Sequence, residues 1–206
     1  MKIILASKSP RRKEILENLG IEIEIITAET DESSEERDPS ALVRELAERK
    51  GRVVAEEIEE RIGENERTFI ISSDTVVALD GEILGKPRDL DDARRMLKML
   101  EGRSHSVFSG IAVIEISGGR ITKSASATEE TLVYFAPMSD SDVEFYINTE
   151  NVLDKAGAYA IQGIASTFID KIDGDYFNVV GLPVRRLFKL LSDEFGIKQS
   201  ELIRKA

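Results

Sequence analysis

Asp74 and Lys86 are the residues whose chemistry and spacing first indicate a reaction centre. Asp74 follows the apolar run Phe69-Ile70-Ile71, so its carboxylate lies near a predicted strand end, where α/β sheets often carry their ligand crevices. A two-residue turn at Asp80-Gly81 would place Thr75 opposite Lys86. A carboxylate that holds a metal or takes a proton, beside a phosphate-binding lysine, suits phosphate chemistry. A structural salt bridge explains the pair equally well.

The segment Ser7-Lys8-Ser9-Pro10-Arg11-Arg12 has the composition of a phosphate site. It lies between a predicted buried strand, residues 2–6, and a helix in which Ser9 is the N-cap and Pro10 the first residue. A helix N-terminus presents free amides and a partial positive charge, which the two arginines and a hydroxyl group would strengthen. The same residues also suit an ordinary capped helix with solvated basic side chains.

Three further positions carry groups that a nucleotide site could use. Lys50 lies within the apolar stripe of a predicted helix, so its ammonium either reaches the surface or enters a cleft that holds an anion. The adjacent acids Asp31 and Glu32 could contribute to a magnesium site, although acidic loops are usually just solvated. Gln162 lies among small residues, and its amide could read a base edge, orient a phosphate or belong to a structural turn.

Several other kinds of site are excluded by composition and motif. The chain has no cysteine, which rules out disulfides and thiolate ligands, and its single histidine rules out a multi-histidine zinc site. We interpret that residue, His105, as structural, because it lies within a strand-like run. Gly85-Lys86-Pro87 lacks the glycine spacing of a Walker motif, and no Gly-x-Gly-x-x-Gly follows the first strand.

Charge and hydropathy restrict the partners of the chain. A formal net charge of −11 disfavours binding to nucleic-acid backbones, while a local basic cluster can still bind a small phosphorylated ligand. No apolar run reaches the length of a membrane span, and Ser7-Lys8-Ser9 interrupts the apolar start too early for a signal peptide. We therefore expect a globular, cytoplasmic protein that binds neither nucleic acid nor membrane.

These candidate residues require an α/β fold to bring them together. The first part of the chain alternates between strand-like and helix-like patterns, with a half-exposed strand predicted at residues 21–25 and a long helix at residues 40–62. Runs at 104–116 and 121–135, joined by Gly118-Gly119, predict an antiparallel middle third, followed by a strand at 167–172. We expect one domain over residues 1–206, with a mixed sheet and flanking helices.

Several motifs follow one another along nearly the whole chain, from Ile4 to about Leu191. They are Leu5-Ala6-Ser7-Lys8-Ser9-Pro10-Arg11-Arg12, Leu46-Ala47-Glu48-Arg49-Lys50, Ser73-Asp74-Thr75-Val76-Val77, Gly85-Lys86-Pro87, Gly102-Arg103-Ser104-His105-Ser106-Val107, Asp154-Lys155-Ala156-Gly157-Ala158-Tyr159, Ile161-Gln162-Gly163 and Asn178-Val179-Val180-Gly181-Leu182-Pro183. Together these motifs resemble the Maf family of nucleoside triphosphate pyrophosphatases.

The resemblance implies a fold, a reaction and a cofactor. The fold would be similar to that of inosine triphosphate pyrophosphatases, with an elongated, partly antiparallel mixed sheet and two lobes around a cleft. The reaction would cleave a nucleoside triphosphate between its α and β phosphates and would need a divalent cation such as Mg²⁺, Mn²⁺ or Co²⁺. A homodimer is also implied, although no feature of the sequence demands one.

The resemblance also implies a role for each candidate residue. Asp74 would activate water and lie near the metal, and Glu32 would also bind the metal. Positions that match the phosphate-binding set are Ser7, Arg12, Lys50 and Lys86. Positions that match those linked to base selection are Arg11, Thr75 and Gln162.

Ser-Pro-Arg-Arg together with Asp-Thr resembles the branch of the family that acts on dTTP and UTP. We therefore expect pyrimidine triphosphates, including modified ones, as substrates. Two alternatives stay open at this point. One is a purine or 7-methyl-GTP pyrophosphatase, and the other is a non-catalytic, nucleotide-binding regulator of septum formation.

Overall fold

A computed structural model of the chain describes residues 1–63 and 66–203. Positions 64–65 and 204–206 of the predicted domain lie outside the described residues. Its sheet has seven strands in the order β2-β1-β3-β5-β6-β7, with β4 paired to β3. The strands are β1 (Lys2–Leu5), β2 (Glu24–Ile25), β3 (Arg67–Leu79), β4 (Glu82–Leu84), β5 (Ser104–Ser117), β6 (Arg120–Phe135) and β7 (Ile169–Asp173).

Helices flank this sheet. They are α1 (Pro10–Asn18), α2 (Pro39–Ile58), α3 (Leu90–Leu100), α4 (Asp140–Thr149), α5 (Tyr176–Val180), α6 (Val184–Phe195) and α7 (Gln199–Leu202). A capping box opens α4, since Ser139 and Asp142 each accept a hydrogen bond from the other's backbone amide. Within the described residues, no helix is long and apolar enough to cross a membrane.

The central strand β3 joins two kinds of pairing. It runs parallel to β1 and antiparallel to β5, which confirms the mixed, partly antiparallel sheet that the sequence predicts. The Asp80-Gly81 turn forms with Leu79 paired to Glu82, also as predicted. However, β4 ends at Leu84, so the ladder stops before the expected pairing of Thr75 with Lys86.

Alternation along β1 and β3 divides the core between the two faces of the sheet. Leu5 and Phe69 contribute to a cluster that is packed by α1 and α6, whereas Ile4 and Ile70 contribute to a second cluster under α2. A third cluster fills the end of the sheet that α3 and α4 cover. The inner strands are therefore buried on both faces, which explains their continuous apolar sequence.

Helix α2 approaches the sheet unusually closely, and two glycines make this approach feasible. A Cβ atom on Gly110 of β5 would lie 2.1 Å from the Val43 carbonyl oxygen of α2. A Cβ atom on Gly51 of α2 would lie 2.7 Å from the Ser72 hydroxyl oxygen of β3. Gly110 is the register partner of Asp74, so the helix crosses the same face of the sheet that carries the Asp74 side chain.

Two sequence predictions need correction in their boundaries, and two helices were missed. The strand expected at residues 21–25 covers only Glu24–Ile25, because the Ile21 amide donates to the Leu16 carbonyl oxygen and closes the end of α1. The strand expected from Thr167 begins at Ile169, because a 3₁₀ segment extends through Phe168. The short helices α5 and α7 were not predicted.

Candidate active site

A cleft of about 770 Å³ opens beside the centre of the sheet. Its walls include the β1–α1 junction, the loop at residues 26–38, one face of α2, the middle of β3 and the segment after β4. All nine site residues predicted from the sequence line it: Ser7, Arg11, Arg12, Glu32, Lys50, Asp74, Thr75, Lys86 and Gln162. The fold therefore brings together side chains that are as far apart in sequence as Ser7 and Gln162.

Two carboxylates and one ammonium group meet in this cleft. Lys50 Nζ lies 2.5 Å from Asp74 Oδ1 and 2.6 Å from Glu32 Oε1. The side chains of Lys50 and Asp74 are only 18% and 13% exposed, whereas that of Glu32 is 50% exposed. Of the two alternatives for Lys50, the structure has the one in which its ammonium enters the cleft, although snorkelling is the commoner outcome for such a lysine.

The adjacent acids Asp31 and Glu32 have different surroundings. The hydrogen bond from Lys50 is the main cause that holds the pKa of Glu32 below its ordinary value, with partial burial opposing it. The carboxylate of Asp31 instead accepts hydrogen bonds from the amide and hydroxyl of Ser33. Of this pair, only Glu32 lines the cleft.

Lys86 is placed differently from the expectation based on hairpin register. Its ammonium lies 4.0 Å from Glu32 Oε2 and its side chain is 60% exposed. Because β4 ends before it reaches Lys86, that lysine does not pair with Asp74. Asp74 forms its ion pair with Lys50 of helix α2 instead. Lys86 nevertheless lines the same cleft, where an exposed ammonium can meet a phosphate.

Arg12 connects three separate segments at the floor of the cleft. Its Nε donates to the Gly181 carbonyl oxygen at 2.8 Å, and its Nη1 donates to Ser73 O at 2.7 Å and to Ser7 Oγ at 3.2 Å. Its Nη2 donates to Thr75 Oγ1 at 3.1 Å. Burial lowers the pKa of this guanidinium, and the nearby Asp74 charge opposes that effect. Most donors of Arg12 are therefore engaged by the protein, which leaves few for the phosphate contact that the resemblance implies.

The β1–α1 junction lines the cleft. Ser9 is the N-cap of α1 and Pro10 its first residue, as predicted, but the Ser9 side chain makes no capping hydrogen bond. Its own amide donates to Ser7 Oγ at 3.2 Å instead. Amides in the first turn of a helix without a side-chain cap are available to an anion, and Arg11 lines the cleft beside them.

Thr75 belongs to a polar chain that the sequence did not reveal. Its Oγ1 lies 2.8 Å from Ser109 Oγ, which donates to the Asn178 carbonyl oxygen at 3.0 Å. The side chain of Asn178 extends the chain, since its Nδ2 donates to the Val107 carbonyl oxygen and to Thr131 Oγ1. Ser109 carried no motif signal, whereas Asn178 stands in a motif that could have indicated it.

His105 lies outside the residues that line the cleft. Its Nε2 is 2.7 Å from the Tyr159 hydroxyl oxygen, and its ring meets those of Tyr159 and Phe135 edge to face. Burial lowers its pKa to about 4, so the ring is neutral near pH 7. These contacts support the structural interpretation made from the sequence.

The donor set of the cleft suits a hard divalent cation that is bound together with a substrate. In the described residues, 1–63 and 66–203, no group of three or more histidine, aspartate or glutamate side chains could hold a metal ion alone. Glu32 and Asp74 do, however, converge on a single cationic atom, Lys50 Nζ. Two carboxylates, completed by phosphate oxygens and water, are a usual environment for Mg²⁺.

Several curated proteins with similar sequences are described as dTTP/UTP pyrophosphatase. The protein from Caldanaerobacter subterraneus subsp. tengcongensis is 50% identical over 198 residues, which are 96% of this chain and 91% of that protein. The protein from Carboxydothermus hydrogenoformans is 45% identical over 94% of this chain and 98% of its own length. The protein from Thermosipho africanus is 44% identical over 98% of this chain and 97% of its own length.

The chain is also similar to a solved structure and to a family profile. A nucleoside-triphosphatase / dITP/XTP pyrophosphatase from Mycobacterium abscessus covers 67% of this chain and 76% of its own, with 16% identity and a TM-score of 0.39. The profile of the family described as Maf-like protein matches residues 2–194. That match spans nearly the whole chain, and relatives at 44–50% identity cover it almost completely. The chain therefore belongs to the family of Maf-like proteins.

Proposed function

We propose that this protein hydrolyses dTTP and UTP, and modified pyrimidine triphosphates, to the nucleoside monophosphate and pyrophosphate. The observation that carries the proposal is the low exposure of Asp74 together with its contact to Lys50 in a cleft lined by further cations. A polyanion repels an isolated carboxylate. Neighbouring ammonium groups offset this repulsion, so the carboxylate can stay ionised and accept a proton beside the polyanion. The names of the 44–50% identical relatives support the same substrates.

The residues of the chain divide the work between charge neutralisation and proton transfer. Lys50, Lys86 and the first-turn amides of α1 would bind the phosphates and stabilise negative charge that develops when the α–β bond breaks. Asp74 would accept the proton of the attacking water. A divalent cation held by Glu32 and Asp74 would add positive charge at the phosphate oxygens when it is bound.

Base selection is assigned to Thr75, Arg11 and Gln162. Thr75 is held by Arg12 and Ser109, so its hydroxyl has a fixed position from which to contact a base or sugar. Arg11 and Gln162 line the cleft, and within the described residues neither side chain makes a hydrogen bond to the protein. Free donors and acceptors of this kind can read the edge of a base without first breaking an internal contact.

The test is pyrophosphate release from a panel of canonical and modified triphosphates, with Mg²⁺, Mn²⁺, Co²⁺ or EDTA. We expect metal-dependent release led by dTTP or UTP, and its loss in Asp74→Asn. Asp80→Asn is the matched control, because Asp80 is exposed in the β3–β4 turn and its φ of 51° also suits asparagine.

Other outcomes of the panel correspond to the two alternatives. Release led by a purine or by 7-methyl-GTP would keep the mechanism and overturn the base assignment. Nucleotide binding without turnover, unchanged in Asp74→Asn, would indicate a non-catalytic regulator. The homodimer, the cytoplasmic location and the preferred metal stay predictions, and light scattering, cell fractionation and the metal series of the same assay check them.

A further inference from the structure

Glu32 stands in a segment that has no regular structure of its own. Residues 26–38 connect β2 to α2 without helix or strand, and most of them are exposed. A carboxylate on such a segment has many positions open to it unless other residues fix the backbone. The proposed role of Glu32 therefore depends on the contacts that hold this loop against the cleft.

One arginine holds the backbone on both sides of Glu32. Arg49 Nη1 donates to the Asp31 carbonyl oxygen at 2.6 Å and to the Ser33 carbonyl oxygen at 2.8 Å. The next residue of the helix, Lys50, contacts the Glu32 carboxylate. Neighbouring residues of α2 thus hold the main chain and the side chain of the same glutamate.

Glu45, one turn earlier in α2, supports this arrangement from both sides. Its Oε1 accepts a hydrogen bond from Arg49 Nη2, and its Oε2 accepts one from the Ser34 hydroxyl at 2.9 Å. The Arg49 side chain is only 32% exposed. An isolated surface ion pair contributes little, but a guanidinium that also binds two carbonyl oxygens constrains the loop in several directions.

From these contacts we infer that Arg49 is a positioning residue, which fixes Glu32 at the cleft for the metal-dependent step. The inference rests on the proposed function of Glu32. Lys50 alone cannot provide this constraint during catalysis, since its ammonium is also needed by the substrate phosphates. When Lys50 turns to the phosphates, the carbonyl contacts of Arg49 still hold the backbone of Glu32 in place.

The variant Arg49→Met tests the inference, with Arg52→Met as its matched control. Arg52 lies on the same helix, is 57% exposed and pairs only loosely with Glu56, at 3.8 Å. Hydrogen exchange of residues 26–38 reports the order of the loop without any catalysis. Electron paramagnetic resonance of free Mn²⁺, with the α,β-methylene analogue of dTTP present, reports metal affinity.

We expect Arg49→Met to exchange faster in the loop and to bind Mn²⁺ about 10- to 100-fold more weakly, as is usual when a residue that orients a metal ligand is lost. Its kcat at saturating metal should fall less than its metal affinity. Arg52→Met should match the wild type, and Glu45→Gln should fall between the two. Loop exchange and Mn²⁺ affinity equal to those of Arg52→Met would overturn the inference.

The failure of the proposed function would look different. A wild type that releases no pyrophosphate from any triphosphate would refute the enzyme assignment. The loop exchange and Mn²⁺ binding of Arg49→Met would still decide whether Arg49 positions Glu32.

Discussion

Replacing Gly110 with alanine should damage the cleft without touching a residue that contacts the substrate. Gly110 lies in β5 opposite Asp74, and the backbone of α2 passes directly over it. An added Cβ atom would lie 2.1 Å from the Val43 carbonyl oxygen and 2.3 Å from the Val43 carbonyl carbon. Backbone atoms of a packed helix cannot rotate away as a side chain can, so the helix itself must move.

The size of this movement follows from the same distances. Ordinary contact begins at 3.4 Å, so an oxygen now 2.1 Å away must retreat by the difference, 1.3 Å. Because α2 carries both Lys50 and Arg49, their contacts to Asp74 and to the 26–38 loop would be displaced together. A misplacement of about 1 Å can cost about 10²-fold in rate. Overpacking of this kind typically costs about 1–3 kcal/mol of unfolding free energy.

Two measurements check this prediction, kcat for pyrophosphate release at saturating dTTP and urea unfolding at the same pH. Gly63→Ala is the control, because among residues 1–63 and 66–203 a Cβ atom there would meet no atom within 4 Å. We expect Gly110→Ala to lose stability and about 10²-fold in kcat, and Gly63→Ala to keep both. Wild-type stability and kcat in Gly110→Ala would refute the argument that close packing of α2 positions the site.

Substitutions at three other residues test their separate roles. Arg12→Lys should lower the unfolding free energy by about 2 kcal/mol or more, since one ammonium cannot serve four acceptors. Because Arg12 holds Thr75, the variant should also show a weaker preference for dTTP. Urea unfolding would show the first effect, and the triphosphate panel the second. Burial lowers the pKa of His105 from 6.5 to about 4, so the unfolded chain binds more protons between these values. The unfolding free energy should therefore fall by up to about 3 kcal/mol as the pH drops through that window, and urea unfolding of His105→Gln should lack this component. Lys50→Met should lower kcat by about 10²-fold, with part of it restored in Lys50→Arg, as pyrophosphate release would show.

Local signals predicted much of the fold. The Asp80-Gly81 turn and the start of α1 at Pro10 each depend on neighbouring residues, and each lies where the sequence indicated. The same locality explains the misses. Residues 21–25 alternate like a strand, but the hydrogen bond from Ile21 to Leu16 ends the pairing early.

The set of site residues was predictable, but their mutual contacts were not. A helical wheel places Lys50 in an apolar stripe and cannot say which strand that stripe faces. The close packing of α2 on β5 determines that the Lys50 ammonium contacts Asp74. The engagement of Arg12 likewise depends on Gly181 and Ser73, which contact it only after the chain has folded.

The bond from Arg12 to Gly181 also has a consequence for the folding of the chain. It spans 169 residues, and the parallel pairing of β1 with β3 must likewise wait for α2 and the loop before it. Contacts of such long range form late and slow the folding reaction. The floor of the cleft therefore cannot assemble on a nascent chain that has not yet released α5. We expect catalytic activity to return during refolding no earlier than the last cooperative phase.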